Sequence, residues 1–484
     1  MRVSIAALAL LTAACGGAPD VAETSRPNVS DADVRVEVSR SRQLAEAIAE
    51  RLFAHAQAHG DSSANMLREL TQLAPGRSAG SAEAEEAASW AERKMHAIGL
   101  AGVRREPVVA PCWERGEPEI ARLIIQGTER PLAALAMTGS VPTRPGGIRA
   151  PILHVTSLAE LEQKAAVAKG RFVFLDVRLR RGVVDAQDAY AEIRDVLEGG
   201  ADFAARVGAR GVIVRSPSRI DDDHVRVVRV RYSGEVERIP AVTVSPTTAD
   251  ALGVACHVDP NCALFLELSC SAKPVLRLTD NVVGEIRGAT LPEEIVVLAA
   301  RLDACWLGQG AHGGGADVAN CLEAARQLLA SGTKLDRTLR VVLFTDGVET
   351  GRGLQVYAAD HSDELDLHVV TIAAVAGGFR PSGFDASQPR AGSELHIGDV
   401  RSFVSVLEPF GISRVQLGEP VQRFRSMLEY GIPVLQMRSS SAEFYDVSNS
   451  YLDRYESVDP RALGLGSSVL AYVAAAFANP EIYK

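Results

Sequence analysis

Several features that would indicate a simple function are missing from this sequence of 484 residues. It has no basic run and its formal net charge is -10, so nothing in it indicates a nucleic-acid partner. Beyond the N-terminus, no apolar run is long enough to span a bilayer. None of the seven cysteines has CxxC spacing, which argues against a zinc knuckle. What is left is a large acidic globular protein, of two to four domains at about 150 residues per domain.

The N-terminus has the pattern of a targeting segment. A short positive start, an apolar core over 3–11 and three small residues precede Cys15. This resembles a bacterial lipoprotein signal, cleaved just before Cys15 and lipidated there, and an ordinary secretory signal is the alternative. We predict a signal peptide with the lipidated cysteine over 1–15 and a flexible tether over 16–38. The protein is then expected in the bacterial cell envelope, periplasmic or facing the outer membrane, and attached to the membrane only through its lipid.

Six further cysteines follow Cys15, an even number in a compartment that permits disulfides. Cys256 and Cys262 are close enough in sequence to close a small loop. The sequence alone leaves the pairing open.

The stretch 294–331 carries the clearest local pattern. The apolar run EIVVLAA predicts a buried strand, and 318–329 has the spacing of an amphipathic helix with Asp317 as its N-terminal cap. A glycine-rich loop joins them at the carboxyl end of the strand, where open α/β sheets bind ligands. Its spacing over 308–313 matches the GxGxxG dinucleotide fingerprint, but that fingerprint follows its strand immediately and this loop does not. We therefore predict a site here and interpret the glycines as a way to let the loop lie flat.

The order of elements predicts an α/β fold with an insertion. From residue 281 onward strand patterns alternate with helical ones, which is typical of a mixed or mainly parallel sheet covered on both faces. Residues 131–272 form short β-like runs with brief helical connections and indicate an inserted module with its own core. The larger α/β domain then comprises 39–130 and 273–484. A GxSxG string at 76–80 follows a helix, whereas a nucleophile elbow needs a strand, so we interpret it as accidental.

Short motifs along most of the chain carry a resemblance to one family. In order they are LAPGR (73–77), GS (80–81), WERG (113–116), IPA (239–241), NVV (281–283), LD (302–303), GAH (310–312), RVVLF (340–344), GGFRP (377–381) and DP (459–460). Their order and spacing resemble the co-catalytic zinc exopeptidases, specifically the carboxypeptidase Q-like branch, the relatives of plasma glutamate carboxypeptidase. The resemblance implies a sandwich around a central mixed sheet, with an inserted β-rich protease-associated (PA-like) domain.

The resemblance also implies a metallo-exopeptidase reaction. Such enzymes hold two zinc ions with a bridging carboxylate and further His and carboxylate ligands, and use a Glu as general base. Bound zinc lowers the pKa of water from about 15.7 to about 7 and polarises the scissile carbonyl. At the matching positions this sequence has other residues, namely Arg301 for the ligand His, Gly313 for the bridging Asp, Gly347 and Val348 for the paired Glu residues, Val375 for a ligand Asp, Asn449 for the terminal ligand His, and Arg423 for a further Asp.

These substitutions predict that the metal ligands and the general base are lost. An arginine at 301 is permanently cationic and offers no lone pair to a metal. A one-residue shift of the alignment would give Glu349 the place of the ligand Glu and Val348 that of the base. On this interpretation the chain retains no catalytic residue, and we expect no cofactor although the family uses zinc.

Polar residues nevertheless remain at the strand ends, namely Asp303, His312, Asp317, Asp346 and Glu349. In the family Asp303 orients the ligand His. Here it is expected either to pair with Arg301 or simply to cap a loop. A rearranged metal site built from Asp303, His312, Asp317 and Glu349 is a further possibility.

Three hypotheses for function follow. The first is a catalytically degenerate, carboxypeptidase Q-like envelope lipoprotein that binds a peptide, an envelope protein or the cell wall. The second is an active metallo-exopeptidase that hydrolyses peptides through a rearranged metal site. The third is a structural or assembly factor that uses the inserted module as its contact surface. The substitutions favour the first or the third hypothesis over the second.

Overall fold

The computed structural model describes residues 31–483, apart from residue 61 and residues 181–185, 393, 421 and 440–442. The predicted signal peptide and Cys15 lie outside the described residues, as does the first part of the predicted tether. The first helix begins at Asp31, inside the segment predicted as a tether.

The described residues form sixteen strands. In chain order they are β1 (Ala101–Cys112), β2 (Ile120–Ile125), β3 (Thr128–Pro131), β4 (Ala134–Ala136), β5 (Ile148–Val155), β6 (Phe172–Leu175), β7 (Gly211–Arg215), β8 (Ala241–Val244), β9 (Ala263–Glu267), β10 (Val275–Ile286), β11 (Leu291–Arg301), β12 (Arg337–Phe344), β13 (His368–Ala373), β14 (Pro381–Ser387), β15 (Arg414–Leu417) and β16 (Val434–Ser439).

The described residues also form thirteen α-helices. They are α1 (Asp31–His59), α2 (Ser63–Leu73), α3 (Ala82–Ile98), α4 (Leu158–Gln163), α5 (Ala165–Ala168), α6 (Ala186–Arg206), α7 (Pro246–Val258), α8 (Ala316–Ala330), α9 (Arg352–Asp360), α10 (Ile397–Val404), α11 (Arg425–Glu429), α12 (Phe444–Val447) and α13 (Pro460–Phe477).

The larger sheet is mixed, as predicted. Its strand order is β1-β10-β12-β11-β13-β16-β14-β15. The central strand β11 pairs in parallel with β12 and β13, whereas β10 pairs with β12 and β14 with β16 in antiparallel fashion. The parallel centre places the carboxyl ends of β11, β12 and β13 at one edge of the sheet.

Helices cover both faces of this sheet because β11 is apolar on both sides. Val296 and Leu298 belong to a core cluster that also contains residues of α2, α3, α8 and α13. Val297 and Ala299 belong to a second cluster, which includes Leu354 of α9. Alternate residues of one strand therefore enter two different cores, which explains the continuous hydrophobic run in the sequence.

The second sheet is also mixed, with strand order β3-β2-β9-β5-β6-β7-β8-β4. Phe172 and Phe174 pack into one cluster and Val173 and Leu175 into another, so this sheet also has a core on each face. It begins with β2, before the start of the module predicted at 131. Its β9 follows the Cys256–Cys262 disulfide, which closes the small loop considered in the sequence.

Of the helices in the described part of the chain, α13 alone is long and apolar enough to cross a bilayer. Most of the window is buried inside the protein, and α13 packs against α8. A helix in the core of a soluble protein can have the same length and apolar composition, so the composition of α13 is weak evidence for a membrane span.

Candidate functional site

The site loop (residues 301–315) leaves β11 at its carboxyl end, in the centre of the larger sheet. Arg77, whose side chain is completely buried, holds this loop in place. The Arg77 guanidinium donates to the carbonyl oxygens of Leu302, Gln309 and Gly310 at 2.7, 3.0 and 2.9 Å. Burial lowers the pKa of Arg77 to about 10, so it remains charged at neutral pH.

Two glycines let the site loop lie against its neighbours. Gly308 and Gly310 have φ values of 82° and 63°, in the left-handed region that other residues rarely adopt. A Cβ on Gly308 would collide with the carbonyl oxygen of Ser450, and one on Gly310 with the Cβ of Ala304. These glycines therefore allow the loop to pack closely against its neighbours, which agrees with our interpretation that they let the loop lie flat.

Arg301 lies at the centre of the site, with only 9% of its surface exposed. A Cβ added to Gly313 would lie 3.1 Å from Arg301 Nη2, and one added to Gly347 would lie 2.8 Å from Arg301 Cβ. Three of the positions singled out in the sequence therefore meet around one side chain. No described residue donates to, accepts from or forms an ion pair with the Arg301 guanidinium.

Asp303 caps a loop instead of pairing with Arg301. Its two carboxylate oxygens accept the backbone N–H groups of Gly347 and Val348, both at 2.9 Å. Of the two roles considered for Asp303, the structure supports the loop cap. The carboxylate joins the end of β11 to the loop that follows β12, which holds these two strand ends together.

Asp453 holds the other side of the site loop and was not identified from the sequence. Its carboxylate accepts the backbone N–H groups of His312 at 2.6 Å and Gly313 at 3.1 Å. Burial raises the pKa of Asp453. A Cβ on Gly313 would lie 2.8 Å from Asp453 Oδ2, so the space that a side chain at 313 would need is already filled.

The prediction that Asp317 caps α8 is wrong. The residue preceding α8 is Gly315, and Asp317 lies in the first turn of the helix, where its carboxylate accepts the N–H of Gly377 at 2.9 Å. The fold brings the loop after β13 onto the helix, and this tertiary contact takes the carboxylate away from the helix end. Burial raises the pKa of Asp317 to about 6.

His312 behaves as a core histidine. Its Nδ1 accepts the N–H of Gly378 at 3.2 Å, and its ring stacks on Phe379 with 4.2 Å between centroids. Its Nε2 is buried without a hydrogen-bond partner among the described residues. Burial lowers the pKa of His312, which favours the neutral imidazole.

Asp346 and Glu349 form an acidic group beside the site loop. Asp346 has a φ of 54° and accepts the N–H of Arg352 at 3.1 Å. Glu349 Oε2 accepts the N–H of Trp113 at 3.1 Å. Burial raises the pKa of Asp346 to about 6. Burial, followed by the charge of Asp346, raises the pKa of Glu349 to about 8, so Glu349 is mainly protonated at neutral pH.

The other substituted positions, Val348, Val375 and Asn449, have different structural roles. Val348 contributes its backbone N–H to Asp303 and is half-buried. Val375 is buried in the same core cluster as Phe344 and Phe424. Asn449 has a φ of 55°, and its carbonyl oxygen accepts the N–H of Val227 at 2.8 Å, so it connects the two sheet regions.

The residues suggested for a rearranged metal site are held by three different segments, namely the loop after β12, the loop after β13 and the residue that follows β1. Asp303 is bound by the loop after β12, His312 by Gly378, Asp317 by Gly377, and Glu349 by Trp113. Within the part of the chain that the structure describes, no group of three or more His, Cys, Asp or Glu side chains is arranged to hold a metal ion. The described side chains therefore do not form that rearranged site.

The sequence analysis missed the anchoring role of Arg77 and Asp453. Arg77 lies in the LAPGR motif and Asp453 follows Asn449 by four residues. Both bind backbone groups of the site loop from distant parts of the sequence. Arg77 is 225 residues from Leu302, and Asp453 is 141 residues from His312. Such bonds leave no local spacing signal.

Comparison with known proteins agrees with this architecture. Residues 281–474 match Peptidase family M28. Carboxypeptidase Q of Rattus norvegicus is 28% identical over 409 residues, which cover 84% of this chain and 83% of the relative. Carboxypeptidase Q of Homo sapiens is 26% identical over 453 residues, covering 93% and 92%.

Solved structures give the same result. A peptidase M28 precursor from Shewanella amazonensis superimposes with a TM-score of 0.82 at 27% identity, covering 91% of this chain and 97% of that one. A zinc aminopeptidase from Bacillus subtilis superimposes with a TM-score of 0.59 at 21% identity, covering 85% and 93%. At that identity the second match shows the shared fold alone.

These comparisons contradict the expectation that no cofactor is needed. The family and fold relatives of this chain are aminopeptidases and carboxypeptidases, and the Bacillus subtilis protein is named a zinc enzyme. Zinc is thus the cofactor named for a fold relative of this chain, and the expectation of none was wrong. The family resemblance itself is confirmed: residues 281–474 match peptidase family M28, and the chain is similar to carboxypeptidase Q over most of its length.

Proposed function

We propose that this chain is a catalytically degenerate member of its family, which binds a peptide or an envelope protein and does not hydrolyse it. The observation that carries the proposal is the position of Arg301. A buried guanidinium without a partner among the described residues lies at the end of the central strand, where the resemblance places a ligand His. Its positive charge opposes the polarisation of a water molecule by a cation at the same place.

The substitutions at 313, 347 and 348 also support the loss of catalytic activity. Gly313 offers no carboxylate, and the space beside it is taken by Asp453 and Arg301. The resemblance places the general base at Val348, or at Gly347 without the shift, and neither side chain can accept a proton. Loss of a general base alone reduces the rate by about 10²–10⁴-fold.

A larger cavity next to the site loop supports a binding role. Its volume is about 410 Å³, and residues 75, 76 and 78–81 contribute to its walls together with Trp113, Arg115 and Trp306. The Arg115 guanidinium lies over the Trp306 ring, 4.4 Å from its centroid. Trp306 Nε1 is a buried donor without a hydrogen-bond partner among the described residues. Aromatic and cationic groups together suit a peptide with a free carboxylate.

Peptide hydrolysis is the direct test, and it is made with zinc added because the relatives are zinc peptidases. The purified chain is incubated with free dipeptides, and carboxypeptidase Q of Homo sapiens serves as the positive control. We expect turnover at least ~10²-fold below that of the control. Binding of the same dipeptides is followed by tryptophan fluorescence, since Trp113 and Trp306 line the cavity. Binding without turnover supports the proposal, and turnover comparable to the control contradicts it.

The second candidate is an active exopeptidase with a rearranged site, and Glu349 is the observation that favours it. A carboxyl group with a pKa of about 8 is suited to general acid catalysis near neutral pH. It lies within electrostatic reach of Asp346 and Asp303, which could attract a cation. If hydrolysis is observed and Glu349→Gln abolishes it, this candidate replaces the first.

We further propose that the second sheet corresponds to a PA-like insertion, with 131–272 as its main part and 39–130 and 273–484 as the peptidase-like domain. Its separate core clusters and its mixed strand order support an inserted module. Contacts between the two sheet regions, such as Glu349 with Trp113, make it a wall of the proposed binding cavity.

The envelope location rests on Cys15, and it predicts a specific modification. When the full chain is expressed in a bacterium and labelled with a radioactive fatty acid, we expect label on the wild-type protein and its recovery with membranes. Cys15→Ala should lose the label and be released in soluble form or retain its leader. Cys112→Ala is the matched control, because Cys112 is buried inside the fold. Equal labelling of the wild type and Cys15→Ala would reject the lipoprotein hypothesis.

A further inference from the structure

A small cavity beneath the site loop is lined by two arginines. Arg301 at the end of β11 and Arg423 in the turn before α11 both contribute to its wall, together with Phe344, Thr345, Leu354 and Phe424. We name it the arginine cavity. Its accessible volume is about 10 Å³, which is room for one occupant of roughly the size of a water molecule.

Within the described residues, neither arginine has a direct hydrogen-bond or ion-pair partner. No described residue hydrogen-bonds to or forms an ion pair with Arg301 or Arg423, and the Nε of Arg423 is buried. Arg77, in contrast, satisfies its guanidinium with three carbonyl oxygens. Natural proteins pair or coordinate nearly all buried charges, because an uncompensated one is strongly unfavourable. Arg301 is only 9% exposed, and Arg423 is partly exposed with a buried Nε, so two cations that share one small cavity point to a missing counter-charge.

The carboxylates near these arginines do not supply it by contact. Asp303, Asp317 and Asp453 are each occupied by backbone N–H groups, and they act on the arginines only at longer range. Burial, followed by the like charge of Arg301, lowers the pKa of Arg423 to about 10. Even so, the Arg423 guanidinium remains protonated at neutral pH.

We propose that the arginine cavity binds a small inorganic anion of about the size of chloride, held between Arg301 and Arg423. The small volume of the cavity excludes larger ligands, and the apolar side chains in its wall, Phe344, Leu354 and Phe424, are buried. Guanidinium N–H groups are strong donors to anions, and in an apolar cavity such hydrogen bonds are stronger than in water. The anion would join the turn before α11, which carries Arg423, to the end of β11, which carries Arg301.

Thermal unfolding in different salts tests this proposal. The full chain is unfolded at constant ionic strength, with sodium gluconate replaced stepwise by sodium chloride. We expect Tm to rise and saturate, by roughly 3–5 °C once chloride reaches about a hundred times its Kd. Arg301→Gln and Arg423→Gln should each lose this dependence and should be more stable than the wild type in gluconate, because each removes one of two like charges. Arg93→Gln, on an exposed face of α3, is the matched control and should keep the full chloride response.

A direct observation keeps the proposal testable if either variant fails to fold. Crystals of the wild type soaked in sodium bromide should show an anomalous peak between Arg301 and Arg423. The proposal is overturned if Tm does not respond to chloride, if both variants respond like the wild type, or if the bromide peak is absent. It is also overturned if crystals soaked in a zinc salt show zinc at this position, because a cation would then occupy the cavity.

Discussion

Replacing Arg77 with methionine is expected to lower the free energy of unfolding by about 3–5 kcal/mol, the largest effect that we predict for a single substitution. The Arg77 side chain is completely buried and donates to three backbone carbonyl oxygens of the site loop. Methionine fills a similar space but donates nothing, so the oxygens of Leu302, Gln309 and Gly310 would be left buried. Each unsatisfied acceptor costs about 1–3 kcal/mol.

The loss should affect the site before it affects the rest of the protein. One of the three carbonyls lies at the start of the site loop, at Leu302, and two lie past its middle, at Gln309 and Gly310, so Arg77 holds these two parts of the loop together. In Arg77→Met, we expect hydrogen exchange to accelerate first at the backbone amides of residues 302–315 and only later in β11. Peptide binding in the neighbouring cavity should weaken as well, because Trp306 belongs to the same loop.

Two variants separate the role of the donors from that of charge and volume. Arg77→Lys retains the positive charge, but its single ammonium cannot reach three carbonyls in a planar arrangement, so we expect a loss nearly as large. Arg42→Met removes an exposed arginine that pairs with Glu46 on α1, and should change stability by less than about 0.5 kcal/mol. A loss of stability below about 1 kcal/mol in Arg77→Met, measured by urea unfolding, would mean that water replaces the guanidinium.

The architecture of the larger sheet could be predicted because its signals are local. The residues of β11 are apolar on both faces, which requires cover on both faces, and the glycine-rich run that follows cannot continue a strand. These patterns, with the order of the motifs, were enough to indicate the mixed sheet and the place of the site. The second sheet begins with β2, and no local sequence pattern distinguishes β2 from β1, which belongs to the larger sheet. The start of the inserted module could therefore not be predicted correctly.

The internal bonds of the site could not be predicted, because several partners compete for each carboxylate. For Asp317, the helix end and the N–H of Gly377 are both compatible with the sequence, and only the packing of the loop after β13 decides between them. For Asp303, Arg301 is two residues away, yet the two N–H groups after β12 take the carboxylate. Nothing in the local pattern ranks a tertiary contact above a neighbouring one.

The pH dependence of stability should reveal a second large effect, which comes from Glu349. Burial is the main reason that its pKa rises from an ordinary 4.5 to about 8, with Asp346 as the next cause. The folded chain then holds a proton that the unfolded chain has already released. The stabilisation is complete below pH 4.5 and is lost as the pH rises towards 8. One pKa unit corresponds to about 1.4 kcal/mol, so we expect the free energy of unfolding to fall by about 2 kcal/mol between pH 6.5 and 8.5.

Glu349→Gln should remove this loss, because glutamine can accept the N–H of Trp113 with its amide oxygen and cannot ionise. If the two proteins are equally stable at pH 6.5, the variant is expected to exceed the stability of the wild type by about 2 kcal/mol at pH 8.5. The range above pH 6.5 avoids Asp346 and Asp317, whose pKa values are raised only to about 6. His361, whose pKa is raised by its acidic partners despite burial, titrates in both proteins, so its contribution cancels in the difference.

The control for this measurement is Glu117→Gln, which removes an exposed carboxylate and should leave the pH profile unchanged. Urea unfolding at several pH values gives the free energies for all three proteins. If Glu349→Gln and the wild type lose stability in parallel above pH 6.5, Glu349 is already ionised in the folded chain at neutral pH. Its carboxylate would then add a negative charge beside Asp303 and Asp346, and the electrostatic case for a cation at the site would become stronger. A protonated Glu349 leaves the positive charge of Arg301 less opposed, which is the condition that the proposed anion site requires.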